Sequence, residues 1–137
     1  KKGFYLSEKV EQRKPLVFDF FATWCLPCLE EMPLTDSLSH IYPNIDFYFV
    51  NVSNLVKGDQ KIKEDITIVK KILNQMKIES PVLMDKYGKV AEKYEALRLP
   101  RLVIIDRQGK IKYLHSGQYS SDMKVIKPIL ETLNNVK

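Results

Sequence analysis

Apolar residues recur along this chain in blocks whose spacing switches between the periods of strand and helix. The first block, Leu16 to Phe21, is apolar and aromatic throughout except for Asp19, the pattern of a central strand buried on both faces. Before it, Ser7 to Gln12 predicts a short helical turn ended by Arg13-Lys14-Pro15. From Pro27 to about Tyr42 the spacing is helical, with Leu29, Met32, Leu38 and Ile41 as expected core contacts. Pro33 lies inside that stretch and predicts a kink. Ile45 to Val52 reads as a second buried strand, parallel to the first across this helix. Ser53 to Gln60 is polar and holds Gly58, which predicts a loop. Ile62, Ile66, Val69, Leu73 and Met76 then recur at helical spacing, an amphipathic helix with one core-facing stripe.

Pro81 to Met84 is a short strand candidate, followed by a turn around Asp85 to Gly88. Lys89 to Leu97 predicts a helix with Val90, Ala91, Tyr94 and Leu97 on one side. Leu102 to Ile105 is a strongly apolar strand, Asp106 to Gly109 a hairpin turn, and Ile111 to His115 the return strand. Ser120-Ser121-Asp122 offers an N-cap for a last helix whose apolar face is Met123, Ile126, Ile129, Leu130 and Leu133. Pro128 within it predicts a kink or a late start. The order is α/β, with a central mixed β-sheet of parallel strands plus one hairpin and helices on both faces.

Composition narrows the function classes. At 137 residues the chain is read as one domain, 1–137, with room for a single core. The net charge of +5 is scattered among acidic residues, with no basic stripe interleaved with aromatics, so nucleic acid is a poor candidate partner. No apolar run approaches the roughly 20 residues of a membrane span, and no signal peptide opens the chain. Lys1 stands where an initiator Met would, so a processed or trimmed chain is expected, with any targeting segment or anchor already removed.

The chain has 2 cysteines, Cys25 and Cys28, between the first strand and the first helix. They are too few for a disulfide framework, and His40 and His115 have no ligand spacing with them, so no metal is expected. Haem attachment would need His after Cys28, where Leu29 stands. Redox use of the pair remains. A cysteine at a helix N-terminus has its thiolate stabilised by unpaired N–H groups and the helix dipole, lowering a pKa that is ordinarily ~8.5. Cys25 is therefore the candidate nucleophile, reachable from solvent, and Cys28, one turn deeper, the resolving thiol. The uncharged Leu26-Pro27 pair between them adds little to thiolate stability, which favours a reductant over a strong oxidant. Asp19 is out of place in an apolar strand. Burial should raise its pKa and suit it to exchange a proton with Cys28.

Asp19-Phe20-Phe21-Ala22-Thr23-Trp24-Cys25-Leu26-Pro27-Cys28, with Pro33 five residues on, resembles the active-site segment of thioredoxin-fold proteins. Leu99-Pro100 ahead of an apolar strand matches the position where that fold carries its cis-proline. The stretch from about Ser53 to Leu83, with its own helix and strand, resembles the insertion of the TlpA/ResA/CcmG branch, extracytoplasmic bacterial thiol–disulfide oxidoreductases. The resemblance covers about Phe4 to Leu133. It implies a thioredoxin-like fold and protein-disulfide reduction through Cys25 and Cys28, with no cofactor beyond that disulfide. Asp19 matches the family's buried acid. Trp24, Pro27, Leu99 and Pro100 would form the substrate-binding surface, the backbone of Leu99 pairing with an extended substrate segment. The implied partners are disulfide- or thiol-containing proteins, the haem-binding cysteines of apocytochrome c among the candidates. A membrane thiol reductase would be the electron donor, and a periplasmic or extracytoplasmic, membrane-anchored monomer the setting.

Three departures from the family pattern stand out. Leu99 precedes the proline where Thr, Val or Ile is common, and Arg101 follows it where Thr is common. The acidic residue that a subset of the branch carries after the second strand is missing from Asn51-Val52-Ser53-Asn54. The competing readings are a thiol oxidase or isomerase, a general thioredoxin, and a non-catalytic thioredoxin-fold binding module.

Overall fold

The computed structural model describes residues 14–53, 55–57 and 60–135. The turn expected at Ser7 to Gln12 lies outside them. Five strands form the main sheet: β1 (Leu16–Phe21), β2 (Asp46–Val52), β5 (Val82–Asp85), β6 (Arg101–Ile105) and β7 (Ile111–Ser116). Their order is β5-β2-β1-β6-β7. β1 pairs parallel with β2 and β2 parallel with β5, whereas β6 runs antiparallel to β1 and β7 to β6.

The alternation of β1 assigns its two faces. Leu16, Phe18 and Phe20 join Val50, Val52, Val103 and Ile105 in a cluster closed by Ala91, Tyr94 and Ala96. Helix α3 (Lys89–Lys93) thus covers one face of the sheet. On the other face, Val17 packs with Phe47, Leu102 and Ile104 under Leu38 of α1 (Leu26–Ile41) and Ile126, Leu130 and Leu133 of α4 (Met123–Asn135). Phe21 and Phe49 continue that layer under Cys28 and Met32 of α1 and Val69 and Leu73 of α2 (Ile66–Gln75). Asp19 falls on this second face, between Val17 and Phe21, and is 3% exposed.

Four expectations are corrected. Ser53 to Gln60 is not a plain loop: β3 (Leu55–Lys57) and β4 (Gln60–Ile62) pair as a two-stranded antiparallel ribbon with Leu55 opposite Ile62. Runs of three residues are too short for periodicity to register. Ile62 is therefore used by β4, and the following helix starts four residues later, where the Asp65 carboxylate accepts the Thr67 N–H at 2.8 Å as a cap. The third helix stops at Lys93 rather than Leu97. Glu95 turns left-handed at φ 54°, and the Ala96 N–H closes on the Ala91 carbonyl at 2.7 Å, a helix-stop geometry that leaves Leu97 72% exposed. In α1 the residue Ile41 is exposed, because the buried side runs through Cys28, Glu31, Met32, Thr35 and Leu38.

Neither internal proline breaks its helix: α1 runs through Pro33 and α4 through Pro128. Both prolines lie on exposed positions, where the carbonyl left without a donor can turn to water. The Ser120–Asp122 segment forms a 3-10 turn that feeds directly into α4.

Candidate active site

The end of β1 delivers the two cysteines to the start of α1. Ala22 ends the buried run, and the Cys25 N–H closes a turn onto the Ala22 carbonyl at 3.1 Å. Cys25 is the N-cap residue, with extended backbone at φ −96° and ψ 94°. Its Sγ accepts the Cys28 N–H at 3.3 Å. One of the helix's otherwise unpaired first-turn donors is thus aimed at the candidate nucleophile, and no acidic side chain occupies that turn to oppose it. Cys25 and Cys28 are joined as a disulfide, with Cα atoms 5.3 Å apart.

Cys25 is more enclosed than a solvent-reachable thiol was expected to be, at 5% exposure against 1% for Cys28. The order of the two is as read from the sequence, but Cys25 as a whole is buried. Its neighbours explain this: Trp24, Leu29 and Leu99 pack against the cluster that contains both cysteines. Trp24 is half-buried, Leu26 is exposed, and Pro27 is exposed with its carbonyl accepting from Gln118 Nε2 at 3.2 Å. The Leu99-Pro100 peptide is cis. Arg101 is committed to the fold. Its guanidinium donates to the Tyr94 carbonyl at 3.2 Å and to the Ser116 hydroxyl at 2.9 Å. His40 contacts Glu79 at 2.7 Å, far along α1 from the cysteines, and His115 lies against the Gln118 carbonyl at 3.2 Å.

The segment Asn51 to Asn54 holds no acid, as its sequence shows, but a carboxylate from further along the chain reaches the active-site loop. Glu64 arrives from beyond the β3–β4 ribbon, and its Oε1 accepts the Thr23 N–H at 2.6 Å and Asn51 Nδ2 at 2.9 Å. Its Oε2 accepts the Thr23 hydroxyl at 3.0 Å, and its own N–H donates to Ser53 Oγ at 2.9 Å. The insertion is thereby clamped to the residue two before Cys25. Nothing near Asn51 in the sequence signals this, since the ribbon separates the two partners.

Asp19 sits beneath α1. Thr35 Oγ1 donates to its Oδ2 at 2.8 Å, and the Tyr119 hydroxyl contacts Thr35 Oγ1 in turn. Burial pushes the Asp19 carboxyl up to about 7, the Thr35 hydrogen bond opposing it and nearby Glu31 adding to it. Glu31 is also raised by burial, although it accepts the Tyr119 N–H at 2.8 Å and the Ser120 N–H at 2.8 Å. Burial raises the Tyr119 phenol as well. Glu31 and Thr35 escaped the sequence reading because a polar residue on a helix looks solvated until its partner is known. Tyr119, read from the sequence as a packing residue, is indeed buried, and its hydroxyl contact with Thr35 spans 84 positions. Among the described residues no group of three or more His, Cys, Asp or Glu side chains could hold a metal ion.

A parallel β1–β2–β5 core flanked by an antiparallel hairpin, with a cysteine pair capping the helix after β1, defines a thioredoxin-like fold. The chain belongs to the Redoxin family, whose model matches residues 2–130. It is 31% identical over 109 residues to the thiol-disulfide oxidoreductase ResA of Bacillus thuringiensis subsp. konkukian, covering 80% of this chain and 58% of that protein. It is likewise 31% identical over 105 residues to the thioredoxin-like protein YneN of Bacillus subtilis, covering 76% of this chain and 57% of that one. Among solved structures, the exposed lipoprotein thioredoxin Etrx1 of Streptococcus pneumoniae superposes with a TM-score of 0.71 at 25% identity, over 97% of this chain and 91% of that one. The chain thus spans less than two thirds of the length of the curated relatives it matches.

Proposed function

We propose that the protein is an extracytoplasmic thiol–disulfide oxidoreductase that reduces disulfides in other proteins. The observation that carries this is the Cys28 N–H donating to Cys25 Sγ at the head of α1, a donor that would stabilise a Cys25 thiolate once the pair is reduced. In the reaction, the Cys25 thiolate attacks one sulfur of a substrate disulfide, forming a mixed disulfide and releasing the other substrate sulfur as thiolate. Cys28 then gives up its proton and attacks Cys25 Sγ. This closes the Cys25–Cys28 disulfide, releases the second substrate thiol, and moves two electrons to the substrate.

Asp19 is the proposed acceptor of the Cys28 proton. It lies under the same helix face as Cys28, and a carboxyl poised near neutrality is suited to the transfer. Thr35, its hydrogen-bond partner, stands two turns beyond Cys28 on that helix. Trp24, Pro27, Leu99 and Pro100 would border the substrate, with an extended segment lying along Leu99. The packing of Trp24 and Leu99 against the cysteine cluster supports that placement.

The identity to ResA, a thiol-disulfide oxidoreductase, supports the exchange chemistry. The extracytoplasmic setting, apocytochrome c cysteines as candidate substrates and a membrane thiol reductase as electron source follow from the resemblance of the active-site segment and insertion to the TlpA/ResA/CcmG branch. Among the described residues no helix is long and apolar enough to cross a membrane. The test is reduction of insulin disulfides with dithiothreitol as electron source, together with equilibration of the pair against glutathione. Turnover that Cys25→Ser abolishes, and a potential on the reducing side, are expected. A potential of about −120 mV, at the strong-oxidant end, would overturn the direction.

A further inference from the structure

Asp19 is held by a donor chain that runs away from the disulfide into the core. A hydroxyl carries one hydrogen, so Thr35 Oγ1, in donating to Asp19 Oδ2, can only accept from the Tyr119 hydroxyl. With Asp19 ionised the direction of the chain is therefore set: Tyr119 donates to Thr35, and Thr35 to the carboxylate. Thr35 and Tyr119 are both buried, at 2% and 1% exposure, so water cannot easily take over either role. Tyr119 is itself locked in place, because its N–H and that of Ser120 are both bonded to Glu31 on α1. Three elements, β1, α1 and the 3-10 turn before α4, meet at this one polar line through an otherwise apolar layer.

We propose that Thr35 and Tyr119 are positioning residues that set the pH at which Asp19 can serve as proton acceptor for the resolving cysteine. This rests on the role assigned to Asp19 above. A donor aimed at the carboxylate favours its ionised form, so the chain works against burial and keeps Asp19 able to accept a proton at neutral pH. The titratable groups that act on Asp19 or feel its charge are Glu31 on α1 and the Tyr119 phenol. Tyr113 and His115 on β7 act on Glu31 or Tyr119, and Asp122 hydrogen-bonds Tyr113 at 2.5 Å.

The test compares Thr35→Val, Thr35→Ser and Tyr119→Phe with the parent protein and with Asp19→Asn. The pH profile of mixed-disulfide resolution is read for each, and the 13C NMR titration of the Asp19 carboxyl for every protein but Asp19→Asn. Thr35→Val, nearly the shape of threonine without its donor, should move the Asp19 titration and the rising limb of the profile upward by about one pH unit. Thr35→Ser should restore the parent profile, and Tyr119→Phe should move both readouts upward by less. A merely structural role would lower stability without moving the limb. If Thr35→Val is folded by circular dichroism and titrates Asp19 where the parent does, the proposal is overturned. If Asp19→Asn itself leaves the profile unchanged, it is the role of Asp19 that fails, and the Thr35 variants separate the two results because the NMR shift does not depend on catalysis.

Discussion

Replacing Asp19 by Asn should stabilise the protein, but only above a definite pH. In the folded chain the carboxyl is raised from 3.8 to about 7, chiefly by burial. A shift of about three units at 1.36 kcal/mol each corresponds to about 4 kcal/mol of differential interaction, an upper figure for a buried group. The sign follows from proton counting. Between pH 4 and 7 the folded state keeps a proton that the unfolded chain has lost, so stability from this group is full below pH 4. It falls as pH rises and is gone above about 7. Asn never ionises, and its amide oxygen can still accept from Thr35. Asp19→Asn should therefore leave stability nearly unchanged at pH 4 and add up to about 4 kcal/mol at pH 8. Guanidinium unfolding of the oxidised protein at pH 4, 6 and 8 reads this directly, since titrations shared by both proteins largely cancel in the difference. A stability difference that is the same at all three pH values would refute the reasoning, because it would mean that Asp19 is not a buried acid with a raised pKa.

Two further substitutions probe the scaffold. Glu64→Ala removes the acceptor of the Thr23 N–H, the Thr23 hydroxyl and the Asn51 amide, and should cost about 1–3 kcal/mol in chemical denaturation while slowing insulin reduction by loosening the loop before Cys25. Asp36→Ala removes the acceptor for the Glu79 N–H and for the Ser80 N–H and hydroxyl. It should cost a similar amount but leave turnover per folded molecule unchanged, because this joint lies on the part of α1 remote from the cysteines.

The strands of the main sheet and the cysteine turn were legible in the sequence because each rests on local pattern. Leu16–Phe21 is apolar but for Asp19, Leu102 to Ile105 is apolar throughout, and Cys25 sits where a buried strand gives way to helical spacing. What escaped was set by partners distant in the chain. The apolar Ile41 seemed a core residue of α1, yet the buried side of that helix is occupied by Glu31, Thr35 and Asp36, each with its own hydrogen bonds. A helical wheel counts such residues as solvated. Glu64 is the sharper case. Its role depends on a ribbon of two three-residue strands folding back, which no periodicity reveals, and on Thr23 and Asn51 converging from two different strand ends. The early stop of α3 depends on Glu95 adopting a left-handed conformation, a choice its side chain does not advertise.

The account turns on the acidity of one sulfur, so the most direct measurement is the rate of iodoacetamide labelling at each cysteine of the reduced protein across pH 4 to 9. The capping position and the Cys28 N–H predict that Cys25 reacts first, with a midpoint below the ordinary ~8.5, while Cys28 lags at every pH. Equal rates at the two cysteines, or a Cys25 midpoint at or above that ordinary value, would contradict it.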